Sequence, residues 1–387
     1  GKYFENPMPA LALTTLITVA AASCLAATFL IWFISRLPST LMQREDAGAV
    51  QAAHTRPTAR VGGLAIMVAL AAGALMHNTP SSDHIFVLTL ASALPVFIVG
   101  LGEDVGLFAS PRRRLLAAAA SGVLFILLSG QWLAAADIPG LDYVLQWTPA
   151  ALLFSIILAA GVSHAFNLID GLNGLAGLTA LGAALALAAV AHAAELPGHR
   201  DALLIMSAAL VGFLILNFPF GKIFLGDAGA YTLGHMLVWI AISILWSAPA
   251  VSPLAVLLIF FWPIADTLLA IARRLRLGKP IAQPDRLHFH QFVMRAVEIV
   301  LLGRRRRRAA NPIGTLLTLP FIGAPMAAGV LLQSDRGGAA AAIVAFACLF
   351  VATYRIGMWV APRLRRTPDA TRGTEPKRRT KADFPAQ

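Results

Sequence analysis

Charge is scarce in this chain. Asp, Glu, Lys and Arg make up 13% of its 387 residues, about half the share of an ordinary soluble protein. Hydrophobic residues reach 58% and the mean hydropathy is +0.73. One water-exposed core cannot enclose that much apolar surface, so a soluble globular enzyme is excluded and the bilayer becomes the natural solvent. Negative charge is scarcer still, with 19 acidic against 31 basic residues and a net charge of +12. A basic excess would suit nucleic acid, but here it falls in the gaps between apolar runs rather than along a stripe. That is the habit of membrane-protein loops, and nucleic acid is not expected as a partner. Cysteine is nearly absent. Cys24 and Cys348 both lie inside apolar runs and read as small apolar residues rather than a disulfide.

Apolar runs are abundant. Eleven are centred on residues 10–34, 61–76, 84–102, 114–133, 149–166, 174–193, 201–218, 229–247, 252–272, 313–333 and 338–360. About 20 apolar residues carry a helix across hydrocarbon, and strands facing lipid would leave backbone groups unpaired. The expected fold is therefore all-α: a polytopic integral membrane protein of about eleven transmembrane helices. The first run is too long for a signal-peptide core and lacks a basic segment before it. Alternate loops hold 28 of the 31 basic residues, and the other set holds only Lys2, Arg200 and Arg336. The positive-inside rule then puts the N-terminus in the periplasm and the C-terminus in the cytoplasm. Residues 1–361 read as one transmembrane catalytic domain, and 362–387 as a basic, disordered cytoplasmic tail.

Five polar clusters interrupt the apolar chain, and this topology puts all five on the cytoplasmic side. In HTRPTARVGGLAI, Arg56 and Arg60 precede the pair Gly62–Gly63 at a helix start, which is either an anion-binding entry or a basic loop. In GLGEDVGLFASPRRR, Glu103 and Asp104 end an apolar helix. They mark a site or make an ion pair with Arg112–Arg114. In HAFNLIDGLNGLAG, Asn167, Asp170 and Asn173 recur every three residues, on one face of a helical turn. In NFPFGKIFLGDAGAYTLG, Asp227 sits between Gly226 and Gly229 at a helix mouth. It suits Mg2+, with the helix N-cap as the alternative. Asn217 and Lys222 belong to the same stretch.

The fifth cluster, ADTLLAIARRLRLGKPIAQPDRLHFHQ, buries Asp266 in an apolar run seven and eight residues before Arg273 and Arg274. A charge there requires a partner or a cavity. His288 and His290 share a side only if the chain is extended between them. With no Cys or third nearby His, a phosphate-binding loop of Lys279, Arg286 and the two imidazoles is better supported than Zn2+. Together the clusters supply carboxylates for a divalent cation, cations for phosphates and glycines for close approach, which is the inventory of phosphoryl-type transfer. Embedding such a site in a bundle points to a lipid acceptor.

In their order, NLIDGLNGLAG, FLGDAGA and RRLRLGKP…DRLHFH resemble the polyprenyl-phosphate N-acetylhexosamine-1-phosphate transferases. Those enzymes start the lipid intermediates of bacterial O-antigen, enterobacterial common antigen, teichoic acid and peptidoglycan. The resemblance spans about residues 45–360 and implies a multi-pass enzyme of the bacterial inner membrane. It would move N-acetylhexosamine 1-phosphate, GlcNAc-1-phosphate first among the choices, from a UDP-sugar to undecaprenyl phosphate and release UMP. The resemblance implies Mg2+, replaceable by Mn2+, on Asp227, with Asp170 organising the metal or the diphosphate. Phe224 would stack on uracil, with Asn173 and Asn217 near the nucleoside, and Asn167 would also bind substrate. Arg56, Arg60, Lys222, Lys279 and Arg286 would face substrate anions. Glu103, Asp104, Asp170, His288 and His290 would be the catalytic set. Glu103 replaces the first Asp of the family's pair, Gln291 a common third histidine, and Ala230 a common Ser. Membrane lipids and a second copy of the chain are the remaining expected partners. The rival is a transporter or lipid flippase, which needs polar groups near mid-bilayer reachable from both faces.

Overall fold

A computed structural model describes residues 11–36, 59–77, 84–108, 110–278, 288–302 and 307–364. Arg56, Lys279, Arg286 and the segment from 365 onward lie outside the described residues. Every regular element within them is helical. In chain order these are α1 (Leu13–Ser35), α2 (Gly62–Met76), α3 (Ile85–Ser92), α4 (Leu94–Asp104), α5 (Pro111–Ser129), α6 (Pro139–Leu145), α7 (Thr148–Leu168) and α8 (Leu175–Ala193). Then follow α9 (Pro197–Asn217), α10 (Gly226–Ser247), α11 (Pro253–Ile259), α12 (Phe261–Arg276), α13 (Phe289–Val297), a π-turn at Glu298–Leu302, α14 (Arg307–Leu331) and α15 (Arg336–Leu364).

Each of the eleven apolar runs is helical, and the chain is a polytopic membrane protein. Among the described residues seven helices, α1, α7, α8, α9, α10, α14 and α15, are long and apolar enough to cross a bilayer. Two bent pairs, α3–α4 at 42° and α11–α12 at 79°, bring the number to nine. The other two expected spans fall short for physical reasons: α2 has only 15 residues, and α5 carries Arg112, Arg113 and Arg114 in its first turn.

The bend between α3 and α4 has a local cause. Pro95 in the first turn of α4 has no N–H to continue the ladder. The next amide, Val96 N–H, donates to Ser121 Oγ at 3.2 Å, and Ser92 Oγ meets His235 Nε2 at 2.9 Å. Backbone and side-chain polar groups are thus satisfied inside an apolar bundle, as hydrocarbon demands.

The core is built around α10, which is buried along nearly its whole length. It packs against α2, α4, α5, α7 and α8. Small residues let backbones touch. A Cβ on Gly63 would strike the Gly229 backbone, and one on Gly100 would lie 2.6 Å from Ala228 Cα. These contacts bring the start of α2 and the end of α4 onto the start of α10. The far end has an aromatic girdle: Trp132 and Trp246 pair at 4.7 Å, and Tyr143 and Trp147 are 77% and 68% exposed, as at a membrane interface.

Candidate active site

The first turn of α10 organises the polar residues. Its early amides have no partner within the helix. Asp227 N–H and Ala228 N–H donate to the two oxygens of Asp104, at 2.8 and 2.9 Å. The cap therefore comes from another helix, 123 residues away in sequence. Asp227 is in the first turn but caps nothing, which sets aside the N-cap alternative for it. Gly226 has φ +74°, and a Cβ there would strike Arg60 O and crowd Asp104 Oδ2. Only glycine fits this crossing without strain.

Released from capping, the Asp227 carboxylate faces the site. Oδ1 accepts Asn167 Nδ2 at 2.9 Å. Arg60 Nη2 stands 3.9 Å from Oδ1 and Arg114 Nη1 3.9 Å from Oδ2. Arg114 also reaches Glu103 Oε2 at 3.5 Å and interacts with the Tyr231 hydroxyl. Tyr231 donates to Asn167 Oδ1 at 3.1 Å. Arg114, Tyr231, Asn167 and Asp227 thus form a ring drawn from α5, α7 and α10. The turn between α7 and α8 holds Asp170. Loss of hydration pushes its carboxyl up to about 7, and Asp227 adds to the rise; Arg60 and the Gly226 amide oppose it.

The neighbouring asparagines are tied to backbone. Asn217 accepts Gly174 N–H at 2.8 Å and donates to Ile223 O at 2.7 Å. Asn173 Nδ2 donates to Pro219 O at 2.9 Å, and its own backbone is gripped by Asn311 and Thr315. Asn173 Oδ1 is buried without a hydrogen-bond partner. Phe224 lies on a short backbone pairing: its N–H donates to Ala59 O and its carbonyl accepts Gly62 N–H. The ring is partly buried. Lys222 is exposed, its ammonium 5.4 Å from the Phe220 ring.

The histidine motif closes the ring of clusters. Asp266 Oδ2 lies 3.0 Å from His288 Nδ1, and Oδ1 accepts Phe289 N–H at 2.9 Å. His288 is extended, at φ −64° and ψ 147°. Both imidazoles therefore reach one side and stack, with centroids 5.7 Å apart. Burial pushes His290 down despite the pull of Asp266. A Cβ on Gly171 would meet His290 Nε2 at 2.8 Å, so the motif abuts the Asp170 turn. All five clusters converge at one end of the bundle. Reading the sequence singled out no role for Tyr231, although it lies four residues after Asp227 on the same helix face. Nor did it assign Arg114 beyond an ion pair.

Among the described residues no three imidazoles or carboxylates make a closed metal cage. Asp227 is 13% exposed, and Asp170 is partly buried beside it. That donor set fits Mg2+, which takes one or two carboxylates and completes its shell with phosphate oxygens and water.

Residues 85–245 match the family model described as glycosyl transferase family 4. The chain is 28% identical over 246 residues to a probable undecaprenyl-phosphate N-acetylglucosaminyl 1-phosphate transferase of Bacillus subtilis, covering 62% of this chain and 67% of the relative. It is 27% identical over 347 residues to the decaprenyl-phosphate N-acetylglucosaminephosphotransferase of Mycolicibacterium smegmatis, covering 82% and 81%. A Yersinia pestis undecaprenyl-phosphate alpha-N-acetylglucosaminyl 1-phosphate transferase is 24% identical over 241 residues, covering 61% and 65%. None of these names supports a transporter. With its carboxylates, arginines and histidines gathered at one end of a helical bundle, the chain is similar to the polyprenyl-phosphate N-acetylglucosamine-1-phosphate transferases.

Proposed function

We propose that the protein transfers N-acetylglucosamine 1-phosphate from UDP-N-acetylglucosamine to undecaprenyl phosphate, releasing UMP. The observation that carries this reading is the cap on α10. Asp104 takes the Asp227 and Ala228 amides, so the Asp227 carboxylate is free to face Arg60 and Arg114 across 3.9 Å. A fixed carboxylate between two cations, with Asp170 alongside, suits a diphosphate and its counter-ion.

In this reading an oxygen of the lipid phosphate attacks the sugar-linked phosphorus. The bond from that phosphorus to the UMP oxygen breaks, and UMP leaves with the electron pair. A phosphate monoester is largely ionised near neutrality, with a second pKa of about 6, so little base assistance is required. Asp227 and Asp170 would hold Mg2+, which neutralises charge on the diphosphate and the leaving UMP. Arg60 and Arg114 would bind the phosphates, and Glu103 would orient Arg114 through their 3.5 Å contact. Asp104 positions Asp227 rather than touching the reacting atoms. Phe224 would stack on uracil. All eleven apolar runs, the short α2 and the arginine-headed α5 included, would cross the bacterial inner membrane within the bundle, with the N-terminus periplasmic and the site facing the cytoplasmic nucleotide pool.

The test is incubation of the purified protein with undecaprenyl phosphate, Mg2+ and a panel of UDP-sugars. UMP and lipid-linked sugar diphosphate should form one-to-one, fastest with UDP-N-acetylglucosamine. Absence of UMP with every sugar would reject the reading.

A further inference from the structure

Asp266 lies 2% exposed in α12, within an otherwise apolar stretch. Its Oδ1 accepts the Phe289 N–H, and its Oδ2 lies 3.0 Å from His288 Nδ1. A carboxylate has only acceptors to offer, so the proton of the His288 contact sits on Nδ1. A neutral imidazole carries one N–H, and which nitrogen bears it is set by the bond the other makes. In the neutral ring, Nε2 of His288 is then a lone pair. That atom is buried and has no hydrogen-bond partner among the described residues, in an imidazole only 1% exposed. The ring lies nearly parallel to His290, at 19°, and His290 abuts Gly171, next to Asp170. A buried acceptor without a donor is unfavourable unless something completes it.

We infer that Asp266 is a positioning residue: it holds His288 in the Nδ1–H tautomer, leaving Nε2 as an acceptor for an O–H or N–H of a substrate bound beside the Asp170 turn. The inference rests on the transferase reading and deepens it. His288 touches the substrate in this account, and Asp266 acts through it.

Two variants separate this from simple loop pinning. In Asp266→Asn the amide oxygen stays with the Phe289 N–H, and its NH2 faces His288. The imidazole must then turn its lone pair to Nδ1 and carry its proton on Nε2. Selective 15N-histidine NMR should show one imidazole changing tautomer. kcat/KM should fall by about 100-fold or more, the pattern of a triad whose orienting Asp becomes Asn. In His288→Asn the side-chain amide replaces Nδ1 toward Asp266 and keeps the loop pinned, with nothing at Nε2. Turnover should be lost while the thermal midpoint stays near that of the parent. Parental turnover in either variant, or an unchanged tautomer in Asp266→Asn, overturns the inference. Unfolding of both variants overturns it too, since the pair would then serve the fold alone. An active His288→Asn sinks only this inference; a parent protein that releases no UMP sinks the transferase reading.

Discussion

The two ends of the bundle treat their charges differently. At the far end, Asp201 is closed against Arg200 at 2.8 Å, with His77 3.5 Å away. Asp137 accepts Ser252 at 2.7 Å and faces Arg336 at 3.3 Å. Asp142 takes the Ala136 amide at 2.6 Å. The Asp137 and Asp142 contacts tie the loop before α6 to neighbouring elements. At the other end, the arginines stand 3.9 Å from Asp227 and 3.5 Å from Glu103, beyond good hydrogen-bond length. The far end uses ionic groups to hold the fold, and the near end gathers them around one carboxylate, Asp227.

The largest break in this comparison comes at Asp227. Asp227→Asn is nearly isosteric and removes the proposed anionic metal ligand, so UMP release should fall by about 100-fold or more, with about 1.4 kcal/mol per tenfold. Chelator should silence the parent, and Mg2+ or Mn2+ should restore it. The matching far-end change, Asp137→Asn, should leave turnover within about twofold and cost only about 1 kcal/mol or less of stability, because Arg336 is 61% exposed. A chelator-resistant Asp227→Asn, or a dead Asp137→Asn, would erase the contrast.

Asp104→Asn comes next. An amide offers one oxygen where two backbone N–H groups need acceptors. The start of α10 should loosen by about 1–2 kcal/mol, the value of a lost cap. Turnover should drop about tenfold as Asp227 loses its aim; a lowered thermal midpoint with full activity would detach the cap from the chemistry. Tyr231→Phe is milder. It removes the donor to Asn167 Oδ1, worth about 0.5–1.5 kcal/mol, and should slow UMP release by a few-fold at most about tenfold, without loss of fold.

The smallest effect concerns pH. The Asp170 carboxyl is raised to about 7, first by desolvation. A raised carboxyl favours the folded state while protonated. Its ionisation opposes folding from the unfolded value near 3.9 upward, and fully above about 7. In metal-free protein, Asp170→Asn should therefore raise the thermal midpoint more at pH 8 than at pH 5, by a few degrees or less. Equal shifts at both pH values, read by scanning calorimetry, would reject the raised value.

Much of this was legible in the sequence, and the reasons are local. The apolar run 229–247 sits inside Gly226–Ser247, and 10–34 overlaps Leu13–Ser35, because hydropathy and backbone satisfaction in lipid act residue by residue. The bend between α11 and α12, at 79°, was not legible, since periodicity does not reveal direction. Charge asymmetry and motif order brought Asp104, Asn167, Asp170, Asp227 and His290 to one end before any coordinates. Sequence spacing did not reveal that Asp104 caps α10, leaving Asp227 free. Asp266 stood out as a charge in an apolar run, but its partner is the His288–Phe289 segment, 22 and 23 residues on, a distance set by the fold. Asn217, expected near a nucleoside, has its amide engaged with the Gly174 and Ile223 backbone. Side chains of one type look alike in sequence whether they face a ligand or a loop.

The most direct measurement of the contrast between the two ends is Mn2+ binding, followed by electron paramagnetic resonance, in the parent, Asp227→Asn and Asp137→Asn proteins with UDP-N-acetylglucosamine present. The account predicts bound Mn2+ in the parent and in Asp137→Asn, and its loss in Asp227→Asn. Undiminished Mn2+ binding by Asp227→Asn, or equal loss in both variants, would contradict it.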